Sequence, residues 1–426
     1  MSINSLSALS PENWPFDGRM LPQPVYLVGG SVRDALLKRK REYLDLDFII
    51  LDQAVSIARN IAKEYQAGFV VLDAERKIAR VVFKGTTVDF AEIEGDSLEE
   101  DLWRRDFTIN AIAYNPFTDE LIDLFNALKD LQEGIIRMVK SGNLREDPLR
   151  LLRAYRQAAQ LGFVISPETQ TTIREFAPLL TQVAAERVQT ELGYLLSHPQ
   201  GMVWIEKAWK NGLLSDYFPA ATENLEIGKK VEIVVEQLEK NWSNLGVELA
   251  TGVRDTVKTS LSLLAIAKLA ILVNPDAEKA EVELMRLKYS NAEIKSTIAV
   301  IKGLAKLSER EISQMSVRQQ YFLFQEIGKN FPALAVVAVA KGISREEINC
   351  LIQRYINPDD PVAHPIALLN GNDLITTLKL PKSPIVGQLL TEIKIARAEE
   401  KIFTKGEAIK LAEKLIQSKE GIGNRE

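Results

Sequence analysis

Hydrophobic and polar positions change their spacing twice along this chain. Residues 24–30 form a short apolar run ending in Gly29-Gly30, and residues 31–40 repeat apolar positions at helical spacing, which predicts strand, tight turn, helix. A second apolar run, residues 43–51, reads as a strand interrupted only by Asp45 and Asp47. Residues 54–65 then have helical periodicity, and residues 68–72, 78–84 and 87–92 are β-rich segments between turn residues. Ser97-Leu98-Glu99-Glu100 has the form of a capping box, and predicts a helix running through Trp103, Phe107, Ile109 and Ala111. After Asn143 nearly every segment is helical, punctuated by Pro178, Pro199 and Pro219. Residues 357–365, with three prolines, read as a linker before a last helical unit. The fold class expected is α+β: an α/β head followed by helices, with no repeat of fixed period.

The chain has 426 residues, too many for one compact core, so three or four packed units are expected. The longest apolar segment is taken as residues 261–273, shorter than the roughly 20 residues a membrane span needs and broken by Lys268, so no membrane association is expected. The first residues lack the pattern of a secretory signal, which makes the cytoplasm the default location. With one cysteine, Cys350, and two histidines, His198 and His364, the chain has no intrachain disulfide and no histidine-clustered metal centre, so any metal chemistry must use carboxylates. These three side chains are expected to be structural, Cys350 within an apolar helix. A net charge of −5 does not point to nucleic acid, so RNA contacts would have to come from local basic patches.

Three clusters carry candidate chemistry. In the first, residues two apart on a strand share a face, so Asp45 and Asp47 project together, away from a core-facing Leu46, and form a candidate magnesium site. Gly29, Gly30, Ser31 and Arg33 stand at a helix start whose amides can hold phosphate. The second cluster, Arg104-Arg105-Asp106 with Asn110, is read as the first turns of a helix. Its guanidiniums suit triphosphate oxygens, and Asp106 and Asn110 suit a ribose. The third, residues 145–156, begins a helix with acids at its start. Asp147 and Arg150 lie three apart on one face, a carboxylate acceptor beside a guanidinium donor that matches the edge of cytosine and also adenine. Arg150, Arg153 and Arg156 offer phosphate contacts, as do Lys379 and Lys382 near the end of the chain. Asp89, read either as a third carboxylate facing Asp45 and Asp47 or as a strand-end polar residue, stays open.

Together these clusters resemble the class II tRNA nucleotidyltransferase and bacterial poly(A) polymerase family of the DNA polymerase beta superfamily, over residues 25–196. Gly29 to Asp34 with Asp45-Leu46-Asp47 is similar to the motif that contacts the triphosphate and binds magnesium. Arg104-Arg105-Asp106 resembles the ribose and phosphate motif. Glu146-Asp147-Pro148-Leu149-Arg150 resembles the protein template that selects CTP or ATP, and residues 185–188 with Glu191-Leu192 resemble the motif that braces it. The resemblance implies a polymerase beta-like head (residues 1–142), then an all-helical neck with the template (143–222), body (223–356) and RNA-binding tail (357–426). It implies Mg2+-dependent transfer of CMP, and with a complete activity AMP, from CTP or ATP to the 3′ end of tRNA. Two departures stand out. Asp123-Leu124-Phe125-Asn126-Ala127 lacks a Gly-Gly common at that turn in the family. The link from Asp89 to Arg104 is shorter than in CCA-adding members, as in CC-adding ones, which rely on a separate A-adding enzyme. The alternatives are a poly(A) polymerase, a non-catalytic RNA-binding relative, and a nucleotidyltransferase for a small molecule.

Overall fold

The computed structural model describes residues 3–39, 44–241, 243–250, 261–309 and 311–423. It separates into two compact units, residues 1–191 with 207–213, and residues 192–206 with 214–426. Residues of the anticipated head, 1–142, and much of the anticipated neck, 143–191 with 207–213, lie together in the first.

The first unit is built on a seven-stranded sheet of order β3-β4-β5-β2-β1-β6-β7. Its strands are β1 (Val25–Val28), β2 (Leu44–Ile50), β3 (Gly68–Asp73), β4 (Ile78–Phe83), β5 (Thr86–Glu92), β6 (Ile112–Asn115) and β7 (Glu120–Asp123). Only β2 and β5 pair in parallel; the other neighbours are antiparallel. Strand alternation gives the sheet two different faces. Leu46, Phe48, Ala79, Val81, Val88 and Phe90 are all buried on one, where Phe48 stacks on Phe90 at 5.4 Å and Trp14 meets Phe48 edge-on at 4.8 Å. The opposite face carries Asp45, Asp47, Arg80 and Asp89. At its far end Ile49 packs with Leu98 and Leu102 of α3 (Leu98–Trp103), which closes that end of the acidic face.

Helices α1 (Gly30–Leu36) and α2 (Ala54–Glu64) precede α3 in the chain. The expected helix over 31–40 is shorter, because residues 37–38 turn, and residue 40 lies outside the described residues, as does residue 43 at the start of the expected second strand. The helix opened by Ser97 also stops early, at Trp103. Ser97 accepts from the Glu100 amide, yet the Glu100 carboxylate accepts from Asp96 N rather than from the cap residue, so only half of a capping box forms. Phe107, φ −127° and ψ 151°, is extended and bridges to Met138, and Ile109 and Ala111 belong to a 3-10 turn and the approach to β6. Long-range pairing of Thr108 N with Arg137 O and Val139 N with Asp106 O outweighs the local helical pattern there.

Further on come α4 (Ala127–Glu133), α5 (Ser141–Glu146), α6 (Leu149–Leu161), α7 (Pro167–Phe176), α8 (Ala185–Ser197) and α9 (Gly201–Lys210), with a two-stranded parallel pair of β8 (Ile135–Ile136) and β9 (Val164–Ile165). The turn before α4 that lacks Gly-Gly is stabilised differently. Asn126 takes the left-handed conformation, φ 56°, that asparagine tolerates, while the Asp123 carboxylate accepts from Phe125 N, Ala127 N and Leu128 N.

The second unit is helical: α10 (Leu225–Asn241), α11 (Ser243–Ala250), α12 (Leu263–Leu272), α13 (Ala277–Arg286), α14 (Asn291–Ser308), α15 (Val317–Ile327), α16 (Phe331–Ala340), α17 (Arg345–Ile356), α18 (Gly371–Leu378), α19 (Pro384–Ala398) and α20 (Lys405–Gly423). The last three share their own apolar cluster around Leu374, Leu389, Ile393 and Ala408, after a turn-rich stretch at 357–365. By length and average composition alone Val317–Ala340, 24 residues, could cross a membrane, but it carries Arg318, Glu326 and Lys329, is broken at Gly328, φ 49°, and its α16 part is almost wholly buried. Cys350 is exposed on α17 rather than enclosed by an apolar helix. His198 Nδ1 accepts from Gln200 N, and His364 Nε2 pairs with Tyr355 O at 2.6 Å, consistent with structural roles.

Candidate active site

A cavity of about 480 Å3 opens where β1 ends and α6 crosses the first unit. Gly29, Gly30, Arg33, Asp47, Asp89, Arg105, Asp106, Asn110 and Arg153 all line it, so most residues chosen from the sequence converge on one space. Gly29 is the pivot. Its φ of +72° is one that side chains other than glycine's rarely adopt, and a Cβ there would stand 3.4 Å from Asp47 Oδ2 and 3.5 Å from Arg105 Nη1. The phosphate-type turn, a carboxylate of β2 and a guanidinium are therefore within van der Waals reach of one backbone position.

Strand register organises the acids. Asp47 of β2 lies directly opposite Asp89 of β5, and Asp45 opposite Thr87, whose hydroxyl donates to the Asp45 carboxylate. Asp89 is thus a mid-strand residue beside Asp47 and not at a strand end. Its two oxygens accept from Arg80 Nε and Nη2, each at 2.7 Å, and Arg80 sits opposite it on β4. The hydrogen bond to Asp89 raises the Arg80 pKa; desolvation opposes this, and the charges of Asp89, Asp45 and Asp47 add to it. Among the described residues no three His, Cys, Asp or Glu side chains stand ready to hold a metal ion. The donor chemistry nevertheless fits magnesium, since the row offers carboxylate oxygens from adjacent registered strands about 5 Å apart.

On the other side of the cavity the charged groups are locked together. Arg33 donates to Asp34 Oδ1 at 2.9 Å and to Asn110 Oδ1 at 2.7 Å. Asp106, buried, accepts from Phe107 N, Asn110 Nδ2 and Arg153 Nε at 2.8, 2.9 and 3.1 Å. Burial opposes its charge, but Arg153 and these hydrogen bonds prevail and hold its carboxyl below the usual range. Arg153 reaches Glu191 of α8 at 3.7 Å, and Arg156 reaches the same carboxylate at 2.7 Å. Burial pushes Glu191 up despite both guanidiniums. Arg105 donates from Nη2 to Asp101, while its buried Nε–H has no acceptor among the described residues, and Asn143 Nδ2 fixes the segment by donating to Trp103 O and Arg105 O.

Five of the site residues chosen from the sequence, Ser31, Asp45, Arg104, Asp147 and Arg150, are outside the cavity lining. Ser31 is buried and its hydroxyl donates to Val28 O, so it pins the turn. Arg104, half-exposed, pairs with Glu94 at 2.8 Å and with Glu146 at 3.5 Å. It follows α3 rather than opening a helix. Arg145 and Glu146 likewise end α5 instead of starting α6, and Asp147 occupies the break before Pro148, because the extended Asp147, ψ 90°, interrupts the helix. Asp147 and Arg150 remain neighbours, 4.0 Å apart, with Arg150 Nη1 donating to Arg104 O at 2.7 Å. The link between β5 and α3, residues 93–97, is tied down by Ile93 N to Ile50 O and by Glu94 to Arg104.

Sequence reasoning missed Gln157 and Gln160, which also line the cavity, and Arg80. Gln157 accepts from Asn110 at 3.0 Å; its position four residues after Arg153 on α6 is the signal that could have found it. Arg80 carries no such signal, because only strand pairing sets it beside Asp89.

This head, with its glycine turn, acidic strand and basic wall, is that of a nucleotidyltransferase. Residues 25–137 match the family described as "Poly A polymerase head domain", residues 162–225 "Probable RNA and SrmB- binding site of polymerase A", and residues 258–412 "tRNA nucleotidyltransferase domain 2". The chain is similar to the CC-adding tRNA nucleotidyltransferase of Synechocystis sp., 48% identical over 95% of this chain and 96% of that one. It is 31% identical to the CC-adding tRNA nucleotidyltransferase of Geobacter sulfurreducens, over 93% of both. In fold it resembles a CCA-adding enzyme solved with ATP, TM-score 0.70 at 23% identity, covering 93% of this chain and 91% of the other. The chain belongs to the tRNA nucleotidyltransferase family.

Proposed function

We propose that the protein extends the 3′ end of tRNA with CMP from CTP, releasing pyrophosphate, and that addition stops after two cytidines. The observation that carries this reading is the short link at residues 93–97 between β5 and α3, held by Glu94, together with the CC-adding activity named for the Synechocystis and Geobacter relatives. Those relatives favour CC addition over an open-ended poly(A) polymerase, a non-catalytic RNA-binding protein and a small-molecule transferase. AMP addition then belongs to a separate A-adding enzyme, and the cytoplasm is the proposed site of the reaction.

The chemistry is attack of the RNA 3′-hydroxyl on the α-phosphate of CTP, with the bond to pyrophosphate breaking. Asp45 and Asp47, with Asp89 as a third candidate, would hold magnesium, which when bound supplies Lewis-acid activation of the hydroxyl and charge neutralisation on the leaving phosphates. Gly29 and Gly30 leave backbone space for the triphosphate, and Arg33, Arg105 and Arg153 line the same cavity as permanent cations. Arg104 is proposed to meet the outer phosphates. Asp106 and Asn110 keep these guanidiniums apart and oriented, and are proposed to face the sugar. Asp147 accepts from the cytosine amine while Arg150 donates to the ring nitrogen, an arrangement that would leave groups unpaired against uracil. On this reading residues 1–142 form the catalytic head, 143–222 the neck, 223–356 the body and 357–426 the tail. Lys379 and Lys382, exposed between α18 and α19, are offered there as phosphate contacts.

The deciding experiment supplies tRNA lacking its 3′ end, with magnesium and CTP, ATP or both, and reads product length at single-nucleotide resolution. Two added cytidines and no growth with ATP are expected. A third nucleotide would mean complete CCA synthesis, and a ladder with ATP alone would mean poly(A) polymerase.

A further inference from the structure

Asp47, Asp89 and Arg80 lie side by side on three adjacent strands, paired Asp47 with Asp89 and Asp89 with Arg80, all on one face. A guanidinium fork fills both oxygens of the Asp89 carboxylate, at 2.7 Å each. The carboxylate is four-fifths buried, whereas the arginine side chain keeps 41% exposure. Arg80 therefore has room to leave, while Asp89 does not. A carboxylate cannot offer the same oxygens to a bidentate guanidinium and to a divalent ion at full strength, and a fixed positive charge next to the row also repels an arriving cation.

We propose that Arg80 is a built-in counter-ion of the acidic row, which holds Asp89 aligned beside Asp47 and must yield to a divalent cation, so that the Arg80–Asp89 pair sets how tightly the site takes metal. This rests on the reading of Asp45, Asp47 and Asp89 as metal-holding residues. Arg80 touches neither nucleotide nor reacting atoms in this account; it is a positioning residue, and it acts through Asp89. Its benefit to the protein is that three carboxylates need not face one another unscreened when metal is absent, at the cost of metal affinity.

The test is Mn2+ binding to the full chain without nucleotide, read from the electron paramagnetic resonance signal of free Mn2+, in the wild type, Arg80→Ala and Arg80→Lys. Arg80→Ala removes the competitor and should lower the half-saturating Mn2+ concentration about tenfold. Arg80→Lys keeps the charge but loses the fork, and should lower it roughly threefold. The Mg2+ concentration for half-maximal CMP transfer should shift in the same order. Unchanged or weaker Mn2+ binding in Arg80→Ala, beside a wild type that binds, overturns the role of Arg80 alone. Should Arg80→Ala not fold, an unshifted Arg80→Lys overturns it equally. A wild type that binds no Mn2+ overturns the metal reading itself, and this inference with it. A purely structural arginine would change the melting temperature and leave the Mn2+ titration where it was.

Discussion

Asp147 is gripped by Arg187 and not by its helix neighbour Arg150. Arg187 Nη1 and Nη2 donate to the two Asp147 oxygens at 3.2 and 3.0 Å, whereas Arg150 Nε stands 4.0 Å away. In its proposed role as base reader Asp147 must be held still, and here α8 does the holding. Removing Arg187 should therefore loosen base choice without touching the reacting atoms. In Arg187→Ala the ratio of kcat/KM for CTP over UTP is expected to fall about tenfold or more, as in Asp147→Ala, with the double variant scarcely worse than either. Steady-state kinetics with each nucleotide checks this. Additive losses would mean that the two residues act separately.

Asp45→Ala and Asp47→Ala should each reduce CMP transfer by several orders of magnitude while leaving the melting temperature within a few degrees of the wild type. Both are on the open face of the sheet, and neither supports the Phe48–Phe90 core. Full activity in either variant would remove that residue from the proposed catalytic centre.

Gly29→Ala combines two costs. The φ of +72° strains any side chain, and the added methyl would press toward Asp47 and Arg105 at the mouth of the proposed triphosphate site. Chemical denaturation should register a loss of about 1 kcal/mol or more, and the KM for CTP should rise by more than that loss explains. A variant as stable and as active as the wild type would contradict the close approach.

Asp106 should make stability depend on pH. Its folded carboxyl lies below its ordinary value because, although burial opposes charge, Arg153 and the hydrogen bonds from Asn110 and Phe107 N favour it. The contribution is therefore complete above the ordinary range, roughly pH 4, and is lost as pH falls through the lower folded value. Asp106→Asn should be destabilised by about 3 kcal/mol at pH 7, and the gap to the wild type should narrow steadily below pH 4 in urea titrations. A constant gap would mean that the charge of Asp106 is not what stabilises this wall.

Much of this protein was determined by local sequence. Period-two alternation in β2 put Asp45 and Asp47 together and Leu46 behind them. The glycine pair marked the turn, and the arginines of α6 and its flanks marked the basic wall. Such features depend on neighbours within a few residues, where backbone geometry alone decides which side chains share a face. The helix expected through Ile109 failed for the opposite reason, because pairing with residues about 30 positions away, Thr108 with Arg137 and Asp106 with Val139, overrode local preference. The family resemblance had implied that residues 185–192 brace the template, but only tertiary structure decided the contacts, Arg187 on Asp147 and Glu191 on Arg153 and Arg156, and it alone decided that Arg80 fills Asp89, since strand register brings together residues whose separation in sequence carries no signal of their contact.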